Sequence, residues 1–383
     1  MEQNKAYGNL IEVLDVLDNR DASTGDMWHS MIRYLDVRAR EKGIPLGGGF
    51  ELTPSCNLDC KMCYVHLSDK QIAESGKKIL TGDQWINLID QAVDAGMMHA
   101  VITGGEAMLH PEFDRIYLHL LDKGILLTVN TNGILLTEKR IEFFKKHPPK
   151  MIQISLYGAN EDEYENITGQ RVYAKVINAV NLMKKSELFF EVGITPNRYM
   201  KSSGGELLEL LDSMGVFYSM NGSLFKPREG TEREREEHDI SLDEYIELYK
   251  ARGKLRGREY TPICMEDVRP VGGGQSNKPK GFRCAGGRSS FAITWDGKVH
   301  PCLMMTEIGY DLSEISFLDA WKRINHEVKE YPFPQECEGC VYRNVCTVCI
   351  KRHAEGAPIG HANKRICERA QRLALEGMIK QSD

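Results

Sequence analysis

Three cysteines packed into one short loop constrain this chain more than any other feature. Cys56, Cys60 and Cys63 fall within FELTPSCNLDCKMCYVH, directly after a short apolar run. Three residues separate the first pair and two the second. Thiolates at that spacing can hold three corners of a cubane iron–sulfur cluster and leave the fourth iron open to another ligand. The other reading is zinc, because His66 lies three residues beyond Cys63 and would complete a Cys3His set. The remaining eight of the eleven cysteines all lie beyond residue 263. The chain therefore has two metal-rich regions around a cysteine-free middle.

Composition narrows the partners. A formal charge of −6 over 383 residues gives no electrostatic reason to expect nucleic acid or an anionic membrane. No run of about 18 apolar residues appears, so no membrane span is expected. The start, MEQNKAYGNLIEVLDVLDNRD, lacks the basic and apolar regions of a secretory signal. Eleven cysteines without an export signal argue for metal binding in a reducing, cytoplasmic setting, not for disulfides.

Residues 49–230 read as repeating strand–helix units. Strands are expected over 49–53, 99–103, 125–130, 151–155, 189–195 and 216–220. Helices are expected near 82–96, 111–123, 138–147, 171–186 and 204–214. Thr81 before the helix near 82–96 and Gly96 and Gly124 after helices are start and stop signals. Six such units imply an α/β fold, a partial (β/α)6 barrel, with chemistry on the loops that follow the strands. Residues 1–48 form a helical extension, with Ile11, Leu14 and Leu17, then Met31, Ile32 and Leu35, at helix-like spacing. It reads as a helix pair packed on the barrel or as a docking surface. Residues 231–259 are a helical connection, 260–370 a cysteine-rich domain and 371–383 a tail. In the cysteine-rich domain, 291–295 and 298–302 flank Asp296-Gly297 as a hairpin, a helix is expected near 317–330, and little apolar core is left, so metal is expected to support the fold.

The C-x3-C-x2-C run followed by Tyr64 resembles the signature of the radical S-adenosylmethionine (SAM) superfamily. Gly104-Gly105-Glu106, after the second strand, resembles its GGE motif, in which small residues admit the SAM amino group and Glu106 adds an acceptor. The resemblance further implies Ser155 at the ribose or carboxylate of SAM, and Asn130 or Asn132 in the same pocket. Arg171, in Thr168-Gly169-Gln170-Arg171, is the candidate partner of the SAM carboxylate. The C-terminal cysteines resemble the SPASM extension, with Cys284, then Gly297-x4-Cys302, then Cys337-x2-Cys340-x5-Cys346 and Cys349-x17-Cys367. Two residues instead of three between Cys346 and Cys349 depart from that pattern.

The resemblance implies three [4Fe–4S] clusters, one bound with SAM and two auxiliary. Cys264, Cys284, Cys302 and Cys349 would hold one auxiliary cluster, and Cys337, Cys340, Cys346 and Cys367 the other; two zinc-ribbon-like sites are the alternative for the same thiolates. It also implies reductive cleavage of SAM to a hydrogen-abstracting 5′-deoxyadenosyl radical, and a ribosomally made precursor peptide as substrate. A small molecule such as a haem precursor or sugar is the other enzymatic reading, and a metal scaffold the non-enzymatic one. A flavodoxin- or ferredoxin-type electron donor follows from the redox step. The 48 N-terminal residues look too short for a winged-helix peptide-recognition domain, so a separate peptide-recognition protein is an expected partner. Sulfatase-maturing members carry an aspartate after the cysteine of G-x4-C; Leu303 stands there, so that activity is disfavoured, and no catalytic base is assigned.

Overall fold

The computed structural model describes residues 24–200, 204–220, 224–228, 238–257, 282, 284–344, 346 and 349–377. Helix α1 (Thr24–Lys42) leads into strand β1 (Gly47–Glu51), and the cysteine loop follows. Then come α2 (Asp69–Glu74), α3 (Gly82–Asp94), β2 (His99–Thr103), α4 (Phe113–Asp122), β3 (Leu126–Thr131) and α5 (Glu138–Lys146). The core continues with β4 (Met151–Leu156), α6 (Glu161–Thr168), α7 (Tyr173–Lys185), β5 (Phe190–Ile194), α8 (Gly205–Ser213) and β6 (Tyr218–Met220). Beyond it lie α9 (Leu242–Leu255), β7 (Ser290–Ile293), β8 (Lys298–His300), β9 (Tyr310–Asp311), α10 (Phe317–Glu330), α11 (Ile350–Ala354) and α12 (Lys364–Leu375).

Local chemistry sets these boundaries. Thr81 caps α3 in a reciprocal box with Gln84, and Ser68 does the same for α2 with Gln71, satisfying backbone donors that a helix start leaves unpaired. Helix α2, six residues long, was not among the expected elements. The sixth strand is shorter than expected, three residues instead of five.

The strands form one nine-stranded sheet in the order β6-β5-β4-β3-β2-β1-β7-β8-β9. β1 to β6 run parallel, and the sheet does not close. The expected hairpin forms, but it does not stand apart: β7 pairs in parallel with β1, Phe50 opposite Ile293. One sheet thus spans both metal-rich regions, and the turn at 294–297 lies on the rim that also carries the cysteine loop.

Alternation along the strands separates two faces. Phe50, Leu52, Ile102, Leu127, Val129, Ile152, Ile154, Val192 and Ile194 are fully buried, with Phe50 edge-on to Trp85 of α3. The opposite face is polar. There Gln153 donates to Glu191, its register partner, and Ser219 Oγ donates to Glu191 Oε1 at 3.0 Å.

Only the second part of the expected N-terminal helix pair falls among the described residues. On α1, Met31 and Val37 are exposed and Ala39 is buried. Asp36 accepts from Ser289 Oγ at 2.6 Å, tying α1 to the start of the hairpin strand. Cys264, the glycine run 272–274 and most of the stretch 228–239, REGTEREREEHD, in which acids and bases alternate, lie outside the described residues.

Candidate functional site

The cysteine loop is clamped from several sides, mostly through backbone. From β2, Gly105 N donates to Thr53 O at 2.8 Å and Glu106 N to Ser55 O at 2.9 Å. A Cβ on Gly105 would sit 2.3 Å from Ser55 O, and one on Gly104 2.6 Å from Thr53 O. Glycine is required here for the close approach of two backbones. From the end of α6, the carbonyls of Thr168 and Ile167 accept from Asp59 N (2.9 Å) and Lys61 N (3.0 Å). Asn132 reaches across from β3, donating to Asn57 Oδ1 at 2.7 Å and lying 3.7 Å from Cys56 Sγ. Arg228 closes the fourth side. Its backbone N donates to Tyr64 O at 3.0 Å, its guanidinium lies 5.5 Å from the Tyr64 ring, and it pairs with buried Glu51.

Inside this cradle, backbone N–H groups point at sulfur: Leu58 N lies 3.4 Å from Cys56 Sγ, and His66 N 3.2 Å from Cys63 Sγ. Burial pushes the Cys56 thiol up to about 11. It also raises Cys60 and Cys63, and the neighbouring thiolates Cys63 and Cys56 raise Cys60 further. Three thiols that cannot ionise easily by themselves, yet carry donors aimed at sulfur, suit a polynuclear cation that draws off their protons. His66 Nδ1 faces Asp59 at 3.5 Å. Among the described residues, no three Cys, His, Asp or Glu side chains gather closely enough to hold a single metal ion.

The SAM-contact candidates divide. Glu106 is 1 % exposed, and both its oxygens are already engaged: Oε2 accepts from Thr131 Oγ1 (2.9 Å) and Asn132 N (2.8 Å), Oε1 from Met108 N (3.2 Å). Burial raises its pKa, opposed by these three donors. In this arrangement Glu106 braces the turn that carries Asn132. Asn130 and Ser155 lie half-buried on the polar face, and the Ser155 hydroxyl bonds Tyr157, whose phenol senses Cys60 and Cys63. Arg171 is not brought to the site. Its side chain is 57 % exposed and pairs with Glu165 and Asp162, because the left-handed Gly169 turns the chain outward after α6. Thr131, Tyr157 and the Glu51–Arg228 pair were not anticipated. Glu51 and Tyr157 could have been found as polar positions in phase with Thr53 and Ser155.

The C-terminal thiols also group. A Cβ on Gly286 would meet Cys284 Sγ at 3.4 Å and Cys302 Cβ at 3.6 Å. Burial pushes Cys302 up to about 12, with Cys284 and Cys349 adding to the rise. Cys284 also senses Cys349, and Cys367 senses Cys340.

Comparison with known proteins agrees with this geometry. Residues 50–196 match the family model of the radical SAM superfamily, and residues 284–341 that of an iron–sulfur cluster-binding domain, SPASM. The chain is 24 % identical to an AdoMet-dependent heme synthase of Methanosarcina barkeri, over 79 % of this chain and 90 % of that protein. It is 22 % identical to the antilisterial bacteriocin subtilosin biosynthesis protein AlbA of Bacillus subtilis, over 96 % and 81 %. Its fold resembles Streptococcus suis SuiB, solved bound to precursor peptide SuiA, with a TM-score of 0.64, 15 % identity and coverage of 96 % and 88 %. The fold and the clamped cysteine loop define a radical SAM protein. The chain carries a radical SAM domain and a SPASM domain, which bring SAM, a [4Fe–4S] cluster and auxiliary iron–sulfur clusters as cofactors.

Proposed function

We propose that this chain is a peptide-modifying radical SAM enzyme acting on a ribosomally made precursor. The observation that carries the reading is the continuous sheet. β7 pairs with β1, so the hairpin turn and the cysteine loop share one rim, and an open cleft lies between them. An extended substrate can cross that rim without entering a closed barrel. The precursor-bound relative and the bacteriocin biosynthesis relative support a peptide. The heme synthase relative supports a second reading, a small-molecule substrate.

In this proposal Cys56, Cys60 and Cys63 hold the cluster that shares its open iron with SAM, and Ser155, Asn130 and Tyr64 line the SAM pocket. Gly104 and Gly105 set the approach of the turn, and Glu106 fixes Asn132 against Cys56. Arg171 would have to leave its surface carboxylates to reach a ligand. Cys284, Cys302 and Cys349, with Cys264, hold one auxiliary cluster; Cys337, Cys340, Cys346 and Cys367 hold the other. When bound and reduced, the cluster with SAM supplies a hydrogen-abstracting organic radical. The chain's own residues hold the reductant-sensitive loop rigid: its backbone donors and the Asn132 contact fix the sulfurs, and the Tyr64–Arg228 stack covers one side. The electron comes from a flavodoxin- or ferredoxin-type donor, a separate recognition protein presents the leader, and the cytoplasm is the setting.

The test is anaerobic turnover with a candidate precursor peptide encoded beside the gene, read by mass spectrometry and by 5′-deoxyadenosine. A mass loss of about two hydrogens, or solvent deuterium gained without other change, is expected. A small metabolite altered while no peptide is altered overturns the peptide reading. A Cys56/Cys60/Cys63 triple alanine variant that still forms 5′-deoxyadenosine overturns the assignment of the loop.

A further inference from the structure

The cleft on the rim has a chemistry of its own. Val65 and Leu67, just past Cys63, form one wall, and Trp295 and Asp296 in the hairpin turn form the other. Together with Lys77, Arg228, Lys298 and His300 they border a solvent-open cleft of ≈ 110 Å³. That size suits one side chain or a chain end.

Its cations differ in how they are paired. Lys77 Nζ lies 3.0 Å from Asp296, and Arg228 pairs with Glu51. Lys298, from β8, lines the same cleft and has no ion pair among the described residues. His300 Nδ1 lies 2.9 Å from Ile308 O. Arg228 also keeps Nε without a hydrogen-bond partner although its side chain is only 12 % exposed, and Glu51 Oε1 is likewise unpartnered. A buried guanidinium with an unused donor, beside an unpaired ammonium, is a receptor for an anion. Val65, Leu67 and the Trp295 ring give the walls an apolar lining that accepts a methylene stem.

We infer that this cleft binds a carboxylate of the peptide substrate, held by Lys298 and Arg228, and so sets the register of the peptide across the rim. The inference rests on the peptide reading above and adds to it a specificity: an acidic residue, or the chain's C-terminal carboxylate, at a fixed distance from the reacting position. An acidic side chain and a chain end present the same group, and the probes below separate them.

The experiment is calorimetric titration, under anaerobic conditions, of the full reconstituted chain with three pentapeptides. One is capped at both ends with a central glutamate among alanines, one has glutamine in its place, and one is all alanine with a free C-terminus. The expected result is binding of the glutamate peptide about tenfold tighter than the glutamine peptide, weakening as salt is raised. Lys298→Met should abolish the preference, and Lys298→Arg should keep it within about threefold. If the free-terminus peptide wins instead, the chain end is the group recognised, and the site stands. Equal binding of glutamate and glutamine peptides with no preference for the free terminus overturns the inference, as does a preference that survives Lys298→Met. A separate titration with glutarate distinguishes the two readings. Lys298-dependent binding of glutarate, alongside failure of every peptide in turnover, leaves a carboxylate site and removes the peptide.

Discussion

Glu51 shows how one residue couples stability to the site. It is 1 % exposed, and burial pushes its carboxyl up to about 7, with Arg228 pulling the other way. Between about pH 4.5 and 7 the folded chain keeps a proton that the unfolded chain has released, so this group costs stability as pH rises through that window. A rise from 4.5 to about 7 is worth about 3 kcal/mol at the high-pH end. Thermal melts of the wild type and Glu51→Gln from pH 5 to 8 check this. The wild type should lose a few degrees relative to the variant as pH rises, and parallel curves would mean that Arg228 keeps Glu51 ionised throughout. At this scale the sequence was partly legible. The three thiols and Asn132 were anticipated as site residues, and the structure puts Asn132 against Cys56. The partner of Glu51 was not, because Arg228 lies 177 positions away and no periodicity links an acid to a base across that span.

The hairpin strand β7 is the element on which both halves depend. Phe291 lies 6.0 Å from Phe50, 4.7 Å from Phe317 and 6.3 Å from Trp321, measured between ring centroids. It therefore joins the barrel sheet, the hairpin and α10 in one apolar contact. Phe291→Ala should cost about 3–5 kcal/mol, because a fully buried aromatic leaves a cavity that three rings cannot refill. Denaturation followed by both far-ultraviolet dichroism and cluster absorbance should show one shared transition moved to lower denaturant. Two separate transitions would mean that the hairpin region unfolds independently of the barrel. Element types were legible from hydrophobic period and turn residues: the 99–103 strand and the 317–330 helix fall where expected. The parallel pairing of β7 with β1 was not. Strand partners far apart in sequence are chosen by tertiary packing, here by the ring cluster around Phe291, and alternation alone does not record it.

Across the whole molecule, the C-terminal region is held by more than its thiols. The expectation was that it keeps little apolar core of its own. Ala370, Leu373 and Ala374 of α12 are buried, and Arg369 stacks 3.9 Å over Tyr245 of α9. Arg365 pairs with Asp239 at 2.9 Å and Arg372 with Asp243 at 3.2 Å, so α12 is anchored to the connection after the barrel. Clusters held by the thiols would add a second fastening over this packing. Cys284 and Cys302 flank the hairpin, Cys349 comes from the segment leading into α11, and Cys367 sits on α12. Anaerobic reconstitution should give about 12 irons per chain, three clusters of four. Cys349→Ser should lower this by about four, remove one auxiliary cluster from the electron paramagnetic resonance spectrum, and leave reductive cleavage of SAM in place. Amide exchange in α12 should be little changed, because its anchors to α9 do not pass through Cys349. Iron that stays near 12 would remove Cys349 from the ligand set. Loss of all three clusters together would mean that the fold around the cysteine loop, through β1 and β7, depends on the auxiliary cluster as well.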